Sequence, residues 1–234
     1  MAHLAHYKEA HPLPFVITHW INLVAMILLI ITGILIHFPA VAGTMGISRG
    51  VHIFFGIVIF INCIVRIILS FIVKSAPTGG TRKTVKDYKT WLPQKDNRHQ
   101  AGAWVKYYLF AKKDHPLGAK LGVPQKLSYL LIPILIIIMF ITGLCLWSTT
   151  ADFMAPLTNL LGGAMSVRLI HYILMYVFII FMFIHVYLAN VEGTEPTKLM
   201  FFHKEHGGLV YDPDKHVIVG EDDLSGTGIK PIDE

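Results

Sequence analysis

The sequence predicts an all-α integral membrane protein, built as an up-down-up-down bundle of four transmembrane helices. Two observations support this prediction. Of the 234 residues, 54% are hydrophobic and only 15% are charged, which is not the balance of a water-soluble domain. Four segments are also apolar over the roughly 20 residues that a helix needs to cross the hydrocarbon layer. They are Phe15–Ile36, Val51–Val73, Leu127–Trp147 and Leu169–Val191.

The connections between these segments differ in length and charge. Residues 74–126 form a long loop with 12 basic and 3 acidic residues, a net charge of +9. The short connections, 37–50 and 148–168, carry only Arg49, Arg168 and Asp152. The positive-inside rule therefore predicts that the loop and both termini are cytoplasmic. We call the cytoplasmic face the n-side and the opposite face the p-side.

The same patterns divide the chain into five parts. Residues 1–14 are a cytoplasmic N-terminal segment, 15–73 contain helices 1 and 2, 74–126 are the basic loop, 127–192 contain helices 3 and 4, and 193–234 are a cytoplasmic tail. From residue 192 onward there are 4 lysines and 10 acidic residues, a net charge of −6. We expect an extended arm there, disordered or ordered against another subunit.

Smaller features lie inside these parts. WVKYYLFAKK (104–113) in the loop predicts a short helix in the headgroup region. ITGIL in helix 1 (31–35) is echoed by ITGLC in helix 3 (141–145), and Arg-x-x-His opens both helix 2 and helix 4. The identity is too short to establish a duplication. The basic residues accompany no groove-reading motif, so no nucleic-acid partner is expected and membrane lipid explains them better.

The chain contains 13 histidines and only two cysteines. Cys63 and Cys145 lie in apolar runs, and two thiols exclude a disulfide scaffold, an iron–sulfur cluster and a four-thiolate zinc site. Ionisable residues inside a membrane span indicate function, because burying them in the bilayer is costly. In helix 4, His171 and His185 are 14 residues apart, about 21 Å along the axis and within 40° of the same face.

Helix direction gives each of these histidines a partner at its own depth. His52 opens helix 2 on the p-side, the depth of His171, and His19 opens helix 1 on the n-side, the depth of His185. Two imidazoles that face each other across a bundle suit a six-coordinate haem. Zinc needs further ligands at the same depth, and no span contains Asp or Glu. Two non-covalent b haems are therefore predicted, since no CxxCH is present.

Other residues are expected to complete the pockets. Gly33 and Gly143 lie at the p-side depth, where glycine admits a large ring or a close helix contact. Arg49 and Arg168 each precede a p-side histidine by three residues, so they are candidates for haem propionates or interfacial anchors. Arg66, inside helix 2 at the n-side depth, is assigned to a propionate or to a quinone pocket. His37 is a rival p-side ligand, five helical turns from His19.

The chain resembles the four-helix cytochrome b subunits of membrane-bound formate dehydrogenases (the gamma subunit) and nickel–iron hydrogenases. The resemblance covers about residues 12–195. Its motifs are THW (18–20), GVHIFFG (50–56), LIHYILM (169–175) and IHVYLA (184–189). It implies the same haem ligands, His52 with His171 and His19 with His185, and gives His37 no counterpart.

The resemblance also implies a quinone site, for menaquinone or ubiquinone, beside the n-side haem. In the family it lies near the histidine that matches His185 and near an Asn-x-Gly-Gln-Lys stretch before helix 3. Here Gln125 and Lys126 keep that pattern, whereas Gly122 and Pro124 replace the asparagine and glycine. The implied partners are an iron–sulfur subunit and a catalytic dehydrogenase or hydrogenase subunit.

The predicted function is transfer of electrons between the iron–sulfur partner and the quinone pool, with the quinone reaction at the n-side haem. Two alternatives belong to other classes. A transporter could relay protons or bind metal through the histidines, although such proteins usually have broken helices or acidic residues at mid-membrane. A structural membrane anchor for a soluble redox enzyme would need no haem.

Overall fold

The computed structural model describes residues 6–77, 82–92, 100–111, 120–190, 194–205, 207–212, 217–222 and 229–231. It confirms the predicted fold class, because four of its helices are long and apolar enough to span a membrane. The helices, in chain order, are α1 (Leu13–His37), α2 (Met45–Ile72), α3 (Tyr88–Trp91), α4 (Ala101–Tyr108), α5 (Val123–Leu146), α6 (Ala151–Leu160), α7 (Ala164–Asn190) and α8 (Glu195–Phe202). A 3₁₀ turn precedes α1 at Lys8–Ala10.

The long helices α1, α2, α5 and α7 correspond to the four predicted spans. All four begin earlier than their apolar runs, by two residues in α1 and by four to six in α2, α5 and α7. Hydropathy marks the part of a helix that lies in hydrocarbon, whereas the backbone hydrogen bonds continue through flanking polar residues.

Contacts divide the chain into two compact units. The bundle unit comprises Ile17–Arg66 and Ile132–Leu188, and the loop unit comprises Met1–Val16, Ile67–Leu131 and Ala189–Glu234. The bundle unit contains most of the four long helices, together with α6. The loop unit contains the predicted N-terminal segment, the basic loop and the tail.

The bundle unit is apolar on the outside. In the most apolar stretch of each long helix, no more than 22% of the residues are buried within the protein. A water-soluble protein does not expose so much aliphatic surface, so this surface faces lipid. Inside the unit, Phe60 of α2 stacks on Phe140 of α5 with ring centroids 3.9 Å apart.

A buried asparagine joins α1 and α2 within the bundle unit. Asn62 Nδ2 donates to the carbonyl oxygen of Thr18 and to Oδ1 of Asn22, each at 2.7 Å. Hydrogen bonds of this kind between helices fix which faces meet, because a polar group in hydrocarbon needs a partner.

In the loop unit, a buried carboxylate organises the basic loop. Strands β1 (Lys74–Ser75) and β2 (Val85–Lys86) pair antiparallel, and Asp87 follows β2. The Asp87 carboxylate accepts hydrogen bonds from Ser75 Oγ at 2.6 Å, Trp91 Nε1 at 3.0 Å and Lys120 Nζ at 3.1 Å. The described parts of the loop are therefore held around this carboxylate, a contact that the sequence did not predict.

The predicted short helix of the loop is present as α4, although residues 112 and 113 lie outside the described residues. Its position in the headgroup region stays a prediction. The structure adds α6 between the third and fourth spans, in the connection 148–168. That helix was not predicted because its apolar period is short and Pro156 lies within it.

The tail is not the extended arm that its charge predicted. It contains α8 and a three-stranded antiparallel sheet of β3 (Leu209–Asp212), β4 (Val217–Asp222) and β5 (Ile229–Pro231), in that order. Backbone hydrogen bonds between the strands stabilise this segment, although its sequence has no sustained apolar period.

The tail also contacts the N-terminal segment and the loop inside the loop unit. The Arg82 guanidinium forms ion pairs with Glu9 at 3.2 Å and with Glu205 at 3.0 Å. The backbone carbonyl of His11 lies 3.2 Å from Nε2 of His203. The described part of the tail before β3 is thus held against its own chain.

Candidate functional site

The bundle unit brings the four predicted ligand histidines together as two pairs. His52 of α2 faces His171 of α7, with ring centroids 6.2 Å apart and an interplanar angle of 61°. His19 of α1 faces His185 of α7, with centroids 6.1 Å apart and an angle of 48°. Both pairs join the partners that helix depth predicted.

The separation within each pair suits one metal atom between two imidazoles. A bound imidazole nitrogen lies about 2 Å from the metal and the ring centroid roughly 1 Å further, so the two centroids lie about 6 Å apart. Two imidazoles that hydrogen-bonded each other directly would have centroids about 5 Å apart. The centroid separations of both pairs therefore leave room for one metal atom between the rings, which a direct hydrogen bond would not.

Each histidine of the first pair is held by a threonine hydroxyl. Thr32 Oγ1 of α1 lies 2.9 Å from Nδ1 of His52, and Thr142 Oγ1 of α5 lies 2.8 Å from Nδ1 of His171. Both threonines are buried. Neither threonine was predicted as a site residue, although each is the middle residue of the Ile-Thr-Gly sequence that helices 1 and 3 share.

Two glycines face the same rings. A Cβ atom at Gly33 would lie 3.4 Å from Cε1 of His52, and one at Gly143 would lie 3.5 Å from Cε1 of His171. Each glycine follows one of the two threonines in sequence. The structure thus places both predicted glycines against the pair, where a larger side chain would occupy the space beside the imidazoles.

A cavity of about 130 Å³ adjoins this first pair. His52, His171 and Gly143 line it together with aliphatic and aromatic side chains such as Ile59 and Phe178. A largely apolar cavity beside two imidazoles suits a flat, mostly apolar ligand ring.

His37, the rival ligand, lies elsewhere. Its ring stacks on Tyr172 with centroids 3.9 Å apart and an interplanar angle of 11°. Tyr172 follows His171 on α7, so it presents a different face of that helix. The structure therefore pairs His171 with His52 and gives His37 an aromatic partner.

The model of the prokaryotic cytochrome b561 family matches residues 10–202. This chain belongs to that family. It is therefore a prokaryotic membrane protein that transfers electrons through b-type haem, and its family usually works with redox partner subunits. No curated protein matches the chain. The family assignment supports neither a metal transporter nor an anchor without haem.

The residues present fit the family's cofactor. Within the described ranges, no group of three or more His, Cys, Asp or Glu side chains converges as a zinc site would require. Two facing imidazoles with glycines and an apolar cavity beside them are what a b haem needs. His52 and His171 would hold such a haem through the nitrogens that the threonines leave free.

The second pair has different surroundings. The ring of Trp20 meets that of His19 edge-on at 5.5 Å, and Phe181 stacks beside His185 at 5.8 Å. Nδ1 of His19 is buried and has no hydrogen-bond partner among the residues that the structure describes. Thr18 and Asn22, the hydrogen-bond partners of Asn62, lie within one turn of His19 on α1.

The three predicted arginines differ in exposure. Arg49 and Arg168 are exposed, near the beginnings of α2 and α7, and Arg66 is half-buried in α2. An exposed guanidinium near a helix start suits both a propionate partner and an interfacial anchor. Their assignment to propionates stays a prediction.

The predicted quinone residues of the 122–126 stretch have local roles in the loop unit. Gln125 Oε1 accepts from the backbone N–H of Gly122 at 2.7 Å, at the start of α5. Lys126 is buried and its Nζ donates to the carbonyl oxygen of Leu92 at 2.7 Å. A Cβ at Gly122 would lie only 3.1 Å from the Trp104 ring. Each residue thus has a structural contact of its own, besides any contact with a ligand.

Proposed function

We propose that this cytochrome b holds two b haems, one between His52 and His171 and one between His19 and His185. The separation of the imidazole centroids supports this most directly, because it is nearly equal in the two pairs, 6.2 Å and 6.1 Å. Because His171 and His185 are 14 residues apart on α7, the two sites lie about 21 Å apart along one helix axis.

The chain's own residues would fix the positions of the two sites and keep them dry. Each bound b haem supplies one-electron chemistry, its iron changing between the ferric and ferrous states. The four histidines provide neutral nitrogen ligands from three different helices. The aliphatic and aromatic side chains around the first pair would limit the water there, so less solvent would reorganise when charge moves.

Electrons pass, in this proposal, between a partner iron–sulfur subunit on the p-side and a quinone on the n-side. The quinone takes up two electrons and two protons to give the quinol, with the protons drawn from the n-side. His185, Gln125 and Lys126 are the residues assigned to this step by resemblance to the formate dehydrogenase and hydrogenase subunits. The basic loop, net +9, supports a cytoplasmic n-side.

The number of haems tests the central part of the proposal. The purified protein should contain two b haems per chain by extraction and by its reduced-minus-oxidised spectrum. His171→Ala and His185→Ala should each lose one haem, and His37→Ala should lose none. A single haem in the unsubstituted protein, or a haem that survives the loss of its assigned histidine, would refute it.

A separate experiment tests the quinone reaction. The dithionite-reduced protein is mixed with a short-chain ubiquinone or a menaquinone analogue, and haem oxidation is followed by stopped flow. We expect Gln125→Leu to slow oxidation at least several-fold with both haem potentials unchanged, whereas Gln125→Glu keeps the acceptor that caps α5. An equal rate in Gln125→Leu would remove this residue from the quinone site.

A further inference from the structure

The hydrogen bonds around the first pair fix the tautomer of both histidines. Thr32 Oγ1 lies 2.6 Å from the carbonyl oxygen of Leu28, four residues earlier in α1. Two oxygens approach so closely only with a hydrogen between them, so the single hydroxyl hydrogen of Thr32 points to this carbonyl. Toward His52 the hydroxyl oxygen is then an acceptor, and Nδ1 of His52 carries the hydrogen.

The same arrangement recurs at the other histidine. Thr142 Oγ1 lies 2.8 Å from the carbonyl oxygen of Ile138, again four residues earlier, and 2.8 Å from Nδ1 of His171. With the hydroxyl hydrogen on the carbonyl, Nδ1 of His171 also donates. In both imidazoles Nε2 is left with its lone pair, the form that binds a metal.

A ligand histidine that donates through its second nitrogen becomes a stronger base. Its ring gains partial imidazolate character, which favours the more positively charged state of the metal. For iron that is the ferric state, so such hydrogen bonds lower the midpoint potential. Both hydroxyls are buried, where a hydrogen bond is electrostatically stronger than in water.

In the second pair, His19 has no equivalent hydrogen bond among the described residues. Nδ1 of His19 is buried and has no hydrogen-bond partner in the part of the chain that the structure describes. The two proposed haem sites thus have equal imidazole separations but unequal support for the imidazole nitrogens that face away from the iron.

On the basis of the proposed function, we infer that Thr32 and Thr142 are positioning residues for the haem between His52 and His171. They present Nε2 of both ligands to the iron and lower the midpoint potential of this haem relative to the one between His19 and His185. An electron on the first site then moves downhill to the second, which oxidises the first iron and reduces the second. The repeated Thr-Gly of helices 1 and 3 is the sequence element that carries this function, with the glycine leaving space beside the same ring.

The test is a redox titration of the intact purified protein, which needs no partner or turnover. In Thr32→Val and Thr142→Val the hydroxyl is replaced by a methyl group of similar size. We expect the potential of the haem at His52 and His171 to become more positive in each variant, and more so in the double variant. The potential of the other haem should stay within error.

Three further variants distinguish a positioning role from a general disturbance of the fold. Thr32→Ser and Thr142→Ser keep the hydroxyl and should restore the potential. Thr158→Val is the matched control, because Thr158 makes the same bond to the carbonyl four residues earlier, on α6, with no histidine contact. If the valine variants lose this haem while the serine variants keep it, the positioning role is also supported.

Three results would overturn the inference while leaving the proposed function intact. The first is two retained haems with unchanged potentials in the double valine variant. The second is an equal shift of both haem potentials, and the third is the same shift in Thr158→Val. By contrast, fewer than two haems in the unsubstituted protein would refute the proposed function itself.

Discussion

At the scale of single residues, small side chains lie next to both imidazoles of the first pair. Gly33 and Gly143 lie directly against His52 and His171, at distances where one carbon atom would touch the ring. Thr32 and Thr142, their sequence neighbours, hold the same rings from the other nitrogen. Two adjacent small residues thus set both the space and the hydrogen bonding at each imidazole of this pair.

We predict that Gly143→Val removes the haem at His52 and His171 and leaves the other haem in place. The added side chain would extend past the 3.5 Å contact with Cε1 of His171 into the space beside the ring. Haem content per chain, measured by extraction, gives the result. Gly46→Ala is the control, because its Cβ meets nothing within 4 Å in α2. Two haems in Gly143→Val would show that this glycine is not part of the pocket.

A second prediction concerns the buried ion pair of the loop unit. Asp87→Ala would leave the ammonium of Lys120, whose side chain is 3% exposed, without its carboxylate. Breaking a buried pair from one side typically costs about 3–5 kcal/mol. We therefore expect a clearly lower melting temperature in detergent, followed by circular dichroism.

Matched variants distinguish the loss of the pair from a general effect of substitution. Asp152→Ala changes an exposed carboxylate in α6 and should alter stability by less than about 0.5 kcal/mol. Asp87→Leu combined with Lys120→Met removes both charges and should recover part of the loss. Equal melting of Asp87→Ala and the unsubstituted protein would contradict the role assigned to this pair.

At the scale of the elements, the composition of the sequence predicts the long helices but not the short helices and strands. The four spans are apolar for longer than any strand or loop, so no tertiary contact is needed to detect them. The tail sheet, α6 and the β1–β2 pair are short, and their residues carry no long period. Their formation depends on cross-strand pairing and on contacts with distant residues.

Arg82 links three elements of the loop unit that are distant in sequence. It bonds Glu9 of the N-terminal turn and Glu205 after α8, and it lies over the Tyr7 ring at 4.3 Å. The hydrogen bond from Arg82 holds the pKa of the Glu205 carboxyl below its ordinary value. The contribution of this contact is therefore complete above the ordinary glutamate pKa and is lost as the pH falls through the lowered folded value.

We predict that acid and the substitution Arg82→Gln have the same local effect. Each should speed limited proteolysis of the tail after α8, measured by mass spectrometry of the released fragments, with the haem content unchanged. Because the pair is partly exposed, high salt should also weaken it. Lys89→Gln, at an exposed lysine of α3, is the control. A tail equally protected in Arg82→Gln at neutral pH would show that these ion pairs do not hold it.

At the scale of the whole molecule, charge asymmetry predicts orientation. The basic loop carries +9 and the p-side connections carry only two arginines and one aspartate. At 53 residues, the loop is still within the length range in which positive charge predicts sidedness.

Cysteine labelling tests this orientation in spheroplasts with a membrane-impermeant maleimide. Lys89→Cys, in the loop, should react only after the membrane is permeabilised, and Thr149→Cys, after α5, should react in intact spheroplasts. Both positions are exposed in the structure, and the native Cys63 and Cys145 are buried. The reverse pattern would invert the proposed n-side and p-side.

The sequence by itself determined the four membrane helices and which of the histidines share a depth, His19 with His185 and His52 with His171. These follow from the length of an apolar run and the fixed rise of a helix, which are local properties. It did not determine that Thr32 and Thr142 hold the histidines of the first pair, that Asp87 and Lys120 meet in the loop, or that the tail folds into a sheet. Each of these depends on atoms brought together from distant parts of the chain, and a threonine in an apolar helix looks the same in sequence whether or not an imidazole faces it. Only the packing of the helices decided which of them does.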